Sequence, residues 1–426
     1  MTNIDRTKAP EIGTVNELSF PSVAVSTLSN GIEVHEIKSG SQKVVQINVI
    51  FEMSRDFAKN PLVAKLTNEL IGETTKNYKS GALNEAIDFY GAYLETTYSV
   101  DHSSISLFCL ESKLDDVLPL FIEAVVNTCF NEDDVKVYLK RSESRFKVNQ
   151  EKVSFLTSRA YSKALYGDHY YGNFTEIEHF SETDASNLQD FYDKYYTSNN
   201  CKIIVSGNYS EAIVSKLNPL VEKMKEGKEG ILDTQVVPSV RQEIFIEKEG
   251  AIQSGVRVGR ILPFEFGSTT YFKFKVLNTL LGGYFGSRLM SNIREDKGYT
   301  YGIGSSLSKM KNACVFSIST EVGSHVTDAT LKEIYFELER LQNEPVAQSE
   351  LETVKNYMKG LLLRSTDGVF SMASQYKAVN FYNRDLSYFN AFLKAIDKTT
   401  VEDIRELAMG YLSANDLIEV AVGQKS

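Results

Sequence analysis

Tryptophan is absent from the 426 residues, and histidine occurs five times, proline eight times and cysteine four times. Each scarcity excludes something. His35, His102, His169, His179 and His325 never stand four apart, so no HExxH or HxxEH zinc helix can form. A catalytic zinc site draws three protein ligands from rigid elements, and isolated histidines read instead as surface or structural residues. Cys109, Cys129, Cys201 and Cys314 make no CxxC pair. Set in or beside apolar runs such as Leu107-Phe108-Cys109-Leu110, they read as buried free thiols in a reducing compartment. No apolar run approaches the roughly 18 residues of a membrane-spanning helix. Met1–Glu11 carries charges and Pro10 but no apolar core, so no secretory signal is expected and a cytoplasmic location is. A GxSxG elbow, a Walker A loop, a GxGxxG fingerprint and an EF-hand loop are missing too.

What is present is ordinary globular material. The apolar fraction is 42% and the charged fraction 24%, and 23 Tyr with 24 Phe can fill a large core. The length suits two domains of roughly 200 residues each. A formal charge of −10 argues against nucleic acid as the main partner, because that affinity needs a basic footprint. The pairs Asp115-Asp116 and Asp133-Asp134 read as helix N-terminal charges, not as a catalytic dyad.

The chain repeats itself. Phe180–Asn208 aligns without a gap on Ile396–Gln424, matching Thr183 with Thr399, Tyr195 with Tyr411, Asn199 with Asn415 and Gly207 with Gly423. Leu188, Phe191, Tyr192 and Tyr195 have the spacing of one helix face, and Ile404, Leu407, Ala408 and Tyr411 repeat it. Thr183 and Thr399 are expected as N-caps, Thr399 with Glu402 in capping-box position. Asn199 and Asn415 are expected as left-handed helix exits. A short strand follows each. The expected organisation is an N-terminal domain over 1–225, a linker over 226–242 and a C-terminal domain over 243–426. Each domain is expected to be α+β, a mixed and mostly antiparallel sheet with helices on one face. The elements expected include a hairpin about Asn30-Gly31, a strand Lys43–Met53, helices Pro61–Leu70 and Ala82–Tyr93, and a strand Ser103–Leu110. In the second half they include helices Thr269–Leu281 and Ser287–Asp296, then a strand Tyr299–Leu307.

One segment stands apart, Leu277–Leu307. Gly282, Gly283 and Gly286 break a helix and permit close backbone approach. Ser287 is placed to cap the next helix and Gly298 to end it. Arg294 then falls in the last helical turn and Tyr301 inside the following strand. A guanidinium offers planar donors to a carbonyl or carboxylate, and a phenol adds a neutral donor. Together they could stabilise an oxyanion. From the residues alone the plainer reading is favoured: an Arg balancing a helix C-terminus and a Tyr packed on a sheet.

The sequence resembles the pitrilysin/insulinase-like zinc peptidases, which include mitochondrial processing peptidase and the core proteins of the respiratory cytochrome complex. The resemblance covers nearly the whole chain. It rests on the hairpin Thr27-Leu28-Ser29-Asn30-Gly31 and on Leu165-Tyr166-Gly167-Asp168-His169-Tyr170-Tyr171-Gly172, where Tyr170 replaces the family's Pro. Its strongest part is Leu281–Leu289 (LGGYFGSRL) followed by Ile293–Tyr301 (IREDKGYTY). The resemblance implies an insulinase-like fold in each domain. It also implies that Arg294 and Tyr301, seven apart as in the family, contact substrate together with Gly282 and Gly283. The family's HxxEH helix corresponds to Ala64–Leu70, where Lys65, Asn68 and Glu69 replace the two His ligands and the Glu base. The third ligand position falls near Arg145, flanked by Glu143 and Glu151, and stays open. The implied chain therefore holds no zinc. In related bacterial pairs one subunit carries zinc and the other the Arg/Tyr pair. The expected function is that of the zinc-less subunit of a heterodimeric metallopeptidase, with a zinc-bearing homologous partner and a peptide or unfolded polypeptide as substrate. A structural subunit like the respiratory core proteins and a peptide-binding homodimer are the alternatives.

Overall fold

The computed structural model describes residues 7, 13, 15–53, 59–210, 213–227, 236–237 and 240–425. Most of Met1–Glu11 lies outside the described residues, as do 228–235, 238 and 239 of the expected linker.

Two sheets organise the chain. The first comprises β1 (Val23–Thr27), β2 (Glu33–Lys38), β3 (Val44–Glu52), β4 (Tyr93–Tyr98), β5 (His102–Leu110) and β6 (Cys201–Gly207), in the order β1-β2-β6-β3-β5-β4. The second comprises β7 (Gln242–Glu247), β8 (Gln253–Leu262), β9 (Ile303–Met310), β10 (Ala313–Gly323) and β11 (Ile418–Gly423), in the order β7-β11-β8-β10-β9. Removing β1 makes the two orders equivalent. β6 runs parallel to β2 and antiparallel to β3. β11 runs parallel to β7 and antiparallel to β8. The repeated glycines have the same task. A Cβ on Gly207 would lie 2.0 Å from the Val44 carbonyl oxygen, and one on Gly423 2.0 Å from Ser254 Oγ. Each inserted strand can end against its neighbour only without a side chain.

The first half adds helices α1 (Pro61–Glu69), α2 (Ala82–Asp88), α3 (Leu114–Val126), α4 (Glu132–Gln150) and α5 (Val153–Tyr166). It then adds α6 (His179–Glu182), α7 (Ala185–Tyr195), α8 (Ile213–Lys216) and α9 (Asn218–Lys223). The second half adds α10 (Thr269–Asn278), α11 (Thr327–Asn343), α12 (Gln348–Ser365), α13 (Val369–Asn380), α14 (Ser387–Lys398) and α15 (Val401–Tyr411). The acidic pairs lie in the first turns of α3 and α4, as expected of charges that complement a helix dipole.

Several local expectations are corrected. The expected helix Ala82–Tyr93 stops at Asp88, because Gly91 turns left-handed (φ +68°) and Tyr93–Tyr98 forms the edge strand β4. The N-caps are Asp184 and Thr400, each in a complete capping box with Asn187 or Asp403. Thr183 and Thr399 instead end the preceding helices, donating their hydroxyls to the carbonyls of His179 and Ala395. The repeat holds, one residue along. Asn199 and Asn415 are not left-handed; among the described residues Asn383 is the one non-glycine with positive φ. The two asparagines work through their side chains. Asn199 Oδ1 accepts the Gly227 amide (2.9 Å), and Asn415 Oδ1 accepts Arg241 Nη1 (2.8 Å). They thereby hold the chain where it leaves the first sheet region and where it enters the second.

Each sheet carries its own half's helices on one face and one helix from the other half on the opposite face. α5, from the first half, packs on β8 and β11. α13, from the second half, packs on β6 and β2. The sequence of β8 shows the reason. Val256, Val258 and Leu262 face the second half's core. The alternate positions Gly255 and Gly259 lie under α5, where a Cβ would be 2.4 Å from Thr157 Oγ1 and 2.4 Å from the Tyr161 hydroxyl respectively. Ile261, in the same alternation, joins the first half's core. Conversely Ile37, Ile50 and Ile204 of the first sheet join the second half's core beside Ala373 and Tyr376 of α13. Polar contacts close the seam. His35 Nδ1 and the Tyr376 hydroxyl are 2.7 Å apart. Buried Asp101 accepts the Tyr171 hydroxyl (2.6 Å) and the Lys311 amide (2.8 Å).

Gly259 therefore tolerates no side chain. Gly259→Ala is expected to lower stability by about 1–3 kcal/mol through overpacking. Gly360→Ala, at an open position within α12, is expected to raise it by about 0.5–1 kcal/mol. Urea unfolding midpoints of the two variants check both signs.

Candidate functional site

α1 begins at Asn60, whose side chain accepts the Leu62 amide (3.2 Å), with Pro61 in the first turn. Leu62, Leu66 and Leu70 pack with Phe146, Phe180 and Leu188. That packing fixes how the helix is rotated and buries Asn68 to 1% exposure. Asn68 Nδ2 donates to the Thr97 carbonyl of β4 (3.0 Å), and its Oδ1 accepts the Tyr196 hydroxyl (3.2 Å). Lys65 and Glu69, one turn apart on the outer face, form an ion pair at 3.7 Å. Glu143 is engaged by Lys147 (2.6 Å) and Glu151 by Lys248 (2.9 Å), while Arg145 is exposed.

The second-half segment is built around close packing. α10 passes into a wide helical turn over Thr279–Gly283. Buried Gly282 lies against β9, where a Cβ would sit 2.5 Å from the Ser305 amide nitrogen. The close approach expected at this glycine is thus to a strand of the chain itself. Gly283 is exposed. Ser287 does not cap through its side chain: its hydroxyl is buried without a partner among the described residues, and its carbonyl accepts the Ser291 amide (2.9 Å). The helix widens again over Met290–Asp296, where the Lys297 amide reaches back five residues to the Asn292 carbonyl (3.0 Å). Such widened turns concentrate at functional sites.

This widened helix is pinned on one side. Arg288 makes a two-pronged contact with Glu350 of α12, 2.9 Å on each arm. Asn292 donates to Glu333 and Glu337 of α11 (3.0 and 2.8 Å), and Lys297 lies 3.5 Å from Glu333. Arg294 differs. Among the described residues no hydrogen bond or ion pair holds its guanidinium, which lies 4.7 Å over the ring of Phe285. Phe285 is itself 63% exposed.

Gly298, left-handed at φ +68°, ends the helix, and the Tyr299 amide bonds back to the Ile293 carbonyl (3.0 Å). The strand then starts later than expected, at Ile303, so Tyr301 precedes it. Thr300 explains the delay. Its hydroxyl donates to the Glu321 carbonyl (2.7 Å) and accepts the Gly302 amide (3.1 Å). Thr320 donates to the Gly302 carbonyl (3.0 Å). This clasp takes up the polar groups that a regular strand would pair, and Tyr301 is left 95% exposed.

Tyr301 borders a pocket of about 400 Å³ lined also by Ser154 and Thr157 of α5, Arg257 of β8, and Ser319 and Glu321 of β10. Arg294 is not among its lining residues, so the guanidinium that shares this pocket with Tyr301 is that of Arg257. Among the described residues Arg257 has no hydrogen-bond or ion-pair partner. It was not singled out in the sequence. The available signal was an arginine between two glycines of one alternation, Gly255-Val256-Arg257-Val258-Gly259.

Residues 183–358 match the family model described as peptidase M16 inactive domain. The zinc protease YmxG of Bacillus subtilis, called uncharacterized, is 25% identical over 71% of this chain and 74% of its own length. The crystal structure of a peptidase M16 inactive domain from Pseudomonas fluorescens superposes with a TM-score of 0.87, covering 95% of this chain and 98% of that one at 24% identity. Residues 183–358 thus resemble a peptidase M16 inactive domain, and the chain as a whole has the fold of such a protein. A further relative, from Helicobacter pylori, is called the non-peptidase homolog YmxG and is 20% identical over 86% of each chain.

A zinc ion does not fit the residues at Ala64–Leu70 of this chain. Lys65 brings a cation to the helix and is paired with Glu69, and both ends of the Asn68 amide are engaged. Among the described residues no three His, Cys, Asp or Glu side chains are grouped to hold a metal. No helix among them is long and apolar enough to cross a membrane. The cysteines are free thiols; burial pushes Cys314 up to about 11 and Cys109 up to about 12, away from nucleophilic chemistry. Dialysis of the purified chain against zinc, followed by elemental analysis, should leave well under one zinc per chain. Stoichiometric zinc would contradict the reading of Lys65 and Asn68. Asn68→Ala, which strands the Thr97 carbonyl and the Tyr196 hydroxyl, is expected to cost about 1–3 kcal/mol in urea unfolding.

Proposed function

We propose that this chain is the non-zinc subunit of a heterodimeric M16 peptidase and that it binds peptide through Arg294 and Tyr301. The observation that carries the reading is the contrast on one widened helix. Arg288 and Lys297 are paired with glutamates, whereas Arg294 keeps its donors free beside exposed Phe285. Tyr301, clasped by Thr300, presents its phenol to solvent. Free donors on a rigid support are suited to holding a substrate carbonyl or carboxylate, because little reorganisation is needed on binding. Gly283, two residues before the Phe285 on which Arg294 rests, is exposed, with Gly282 shaping the turn from within. Arg257 would add a second guanidinium on the Tyr301 side.

The partner would be a homologous subunit with an intact HxxEH helix, holding the zinc that this chain's residues do not fit. The substrate would be a peptide or unfolded segment. The inactive-domain description of residues 183–358 supports the division of labour. One observation favours a second reading, a subunit with no part in catalysis: the Helicobacter pylori relative is called a non-peptidase homolog.

The two readings part in one assay. With a zinc-bearing partner present, Arg294→Ala and Tyr301→Phe should each lower kcat/KM for peptide hydrolysis, and loss of an oxyanion donor is worth roughly 10²- to 10³-fold. Unchanged turnover in both variants removes their assigned role and leaves the second reading.

A further inference from the structure

A different site lies at the seam between the halves. A cavity of about 860 Å³ is bounded on one side by Ile50, Glu52 and Lys202 of the first sheet and on the other by α10, α12, α13 and α14. Small-molecule pockets typically have roughly 300–1,000 Å³. Its wall is aromatic and aliphatic. Phe266 stacks on Tyr388 with ring centroids 4.8 Å apart, and Phe392 is backed by core Phe272 at 5.2 Å.

Charge in this apolar wall is one-sided. Among the described residues four lysines line it, Lys202, Lys275, Lys309 and Lys377, against a single carboxylate, Glu52. Glu52 is already paired with Lys311 at 2.7 Å. Lys202 lies 3.7 Å from Glu33 and donates to Asn380 (2.9 Å). Lys309 is capped by the carbonyl of Met310 (2.6 Å), which leaves its charge in place. Among the described residues Lys377 donates to the Ser104 hydroxyl, at 3.5 Å, and feels the charge of Glu95 without an ion-pair contact. Lys275 has less still. Among the described residues it has no hydrogen bond and no carboxylate. Its ammonium lies 4.4 Å over the Phe392 ring and 5.7 Å from that of Tyr271. Burial pushes it down to about 8.

A buried ammonium without an anion is costly, and the same site favours any ligand that brings one. The geometry points to a binding site for an apolar monocarboxylate, its carboxylate held by Lys275 with Lys377 and its apolar part among Phe392, Tyr388 and Leu362. The lining favours one compact anion over a phosphate. It offers no arginine fork, and its polar groups are few against its rings and aliphatic chains. This site shares no lining residue with the Tyr301 pocket and stands independently of the peptidase proposal.

The purified chain alone, without any partner, tests it by calorimetric titration. Decanoate and decanol have the same chain and differ in charge. Decanoate should bind saturably, one per chain, at least tenfold tighter than decanol. Lys275→Met keeps the aliphatic stem and should erase that preference. N-acetylphenylalanine probes the other source of the same chemistry, the C-terminus of a peptide. If it binds tighter than decanoate, with the same dependence on Lys275, the natural ligand is a peptide end; the reverse order indicates a free acid. Equal affinity of the unmodified chain for decanoate and decanol, absence of saturable binding by either carboxylate, or an undiminished preference in the Lys275→Met variant each overturns the proposal. The first comparison needs no variant to fold.

Discussion

The structure depends on a reciprocal exchange of helices. α5 leaves the first half to cover the second sheet, and α13 leaves the second half to cover the first. Neither sheet would otherwise have both faces removed from water, so each half completes the core of the other. The exchange is possible because β8 carries no side chain at Gly255 and Gly259, where Thr157 and Tyr161 descend. The two pockets follow from that arrangement. α5 supplies one wall of the Tyr301 pocket through Ser154 and Thr157. α13 supplies one wall of the seam cavity through Lys377 and Asn380.

A second pattern concerns cations. The chain is acidic overall, yet Arg257, Arg294 and Lys275 have no carboxylate partner among the described residues, while neighbours such as Arg288 and Lys297 are paired. Desolvation penalises an unneutralised charge unless something offsets it. For Arg294 and Lys275 aromatic faces supply part of the offset. The rest remains available to a ligand. The degenerate zinc helix shows the opposite tendency. Asn68 and the Lys65–Glu69 pair have settled into internal contacts, which makes α1 a structural element.

Much of this was legible from local pattern. Hydrophobic periodicity located α1 to within one residue and the strands β3 and β5 equally closely, because each element's apolar spacing is set by its own geometry. The repeat anticipated that β6 and β11 occupy equivalent places. Expectations failed where a side chain had two partners to choose between. Thr183 and Thr399 can cap forwards or bond backwards, and their neighbours Asp184 and Thr400 took the forward role. Tyr301 alternates correctly with Tyr299 and Ile303, yet the Thr300 hydroxyl diverted the backbone before pairing could begin. Ser287 stands where a cap belongs, but the helix widened and left its hydroxyl buried.

The sequence by itself determined the α+β class, the duplicated helix-strand unit and the absence of any HxxEH spacing. These are readable because they depend on residue identity at fixed spacing. Only the tertiary structure decided which cations are left without partners. Arg288, Arg294 and Lys297 are alike in sequence, and the glutamates that separate them come from α11 and α12, some 40 to 60 positions away. Arg257 came beside Tyr301, and Lys275 came to face a first-half sheet, for the same reason. Charge compensation is a property of three-dimensional neighbours, and the helix exchange at the seam set those neighbours.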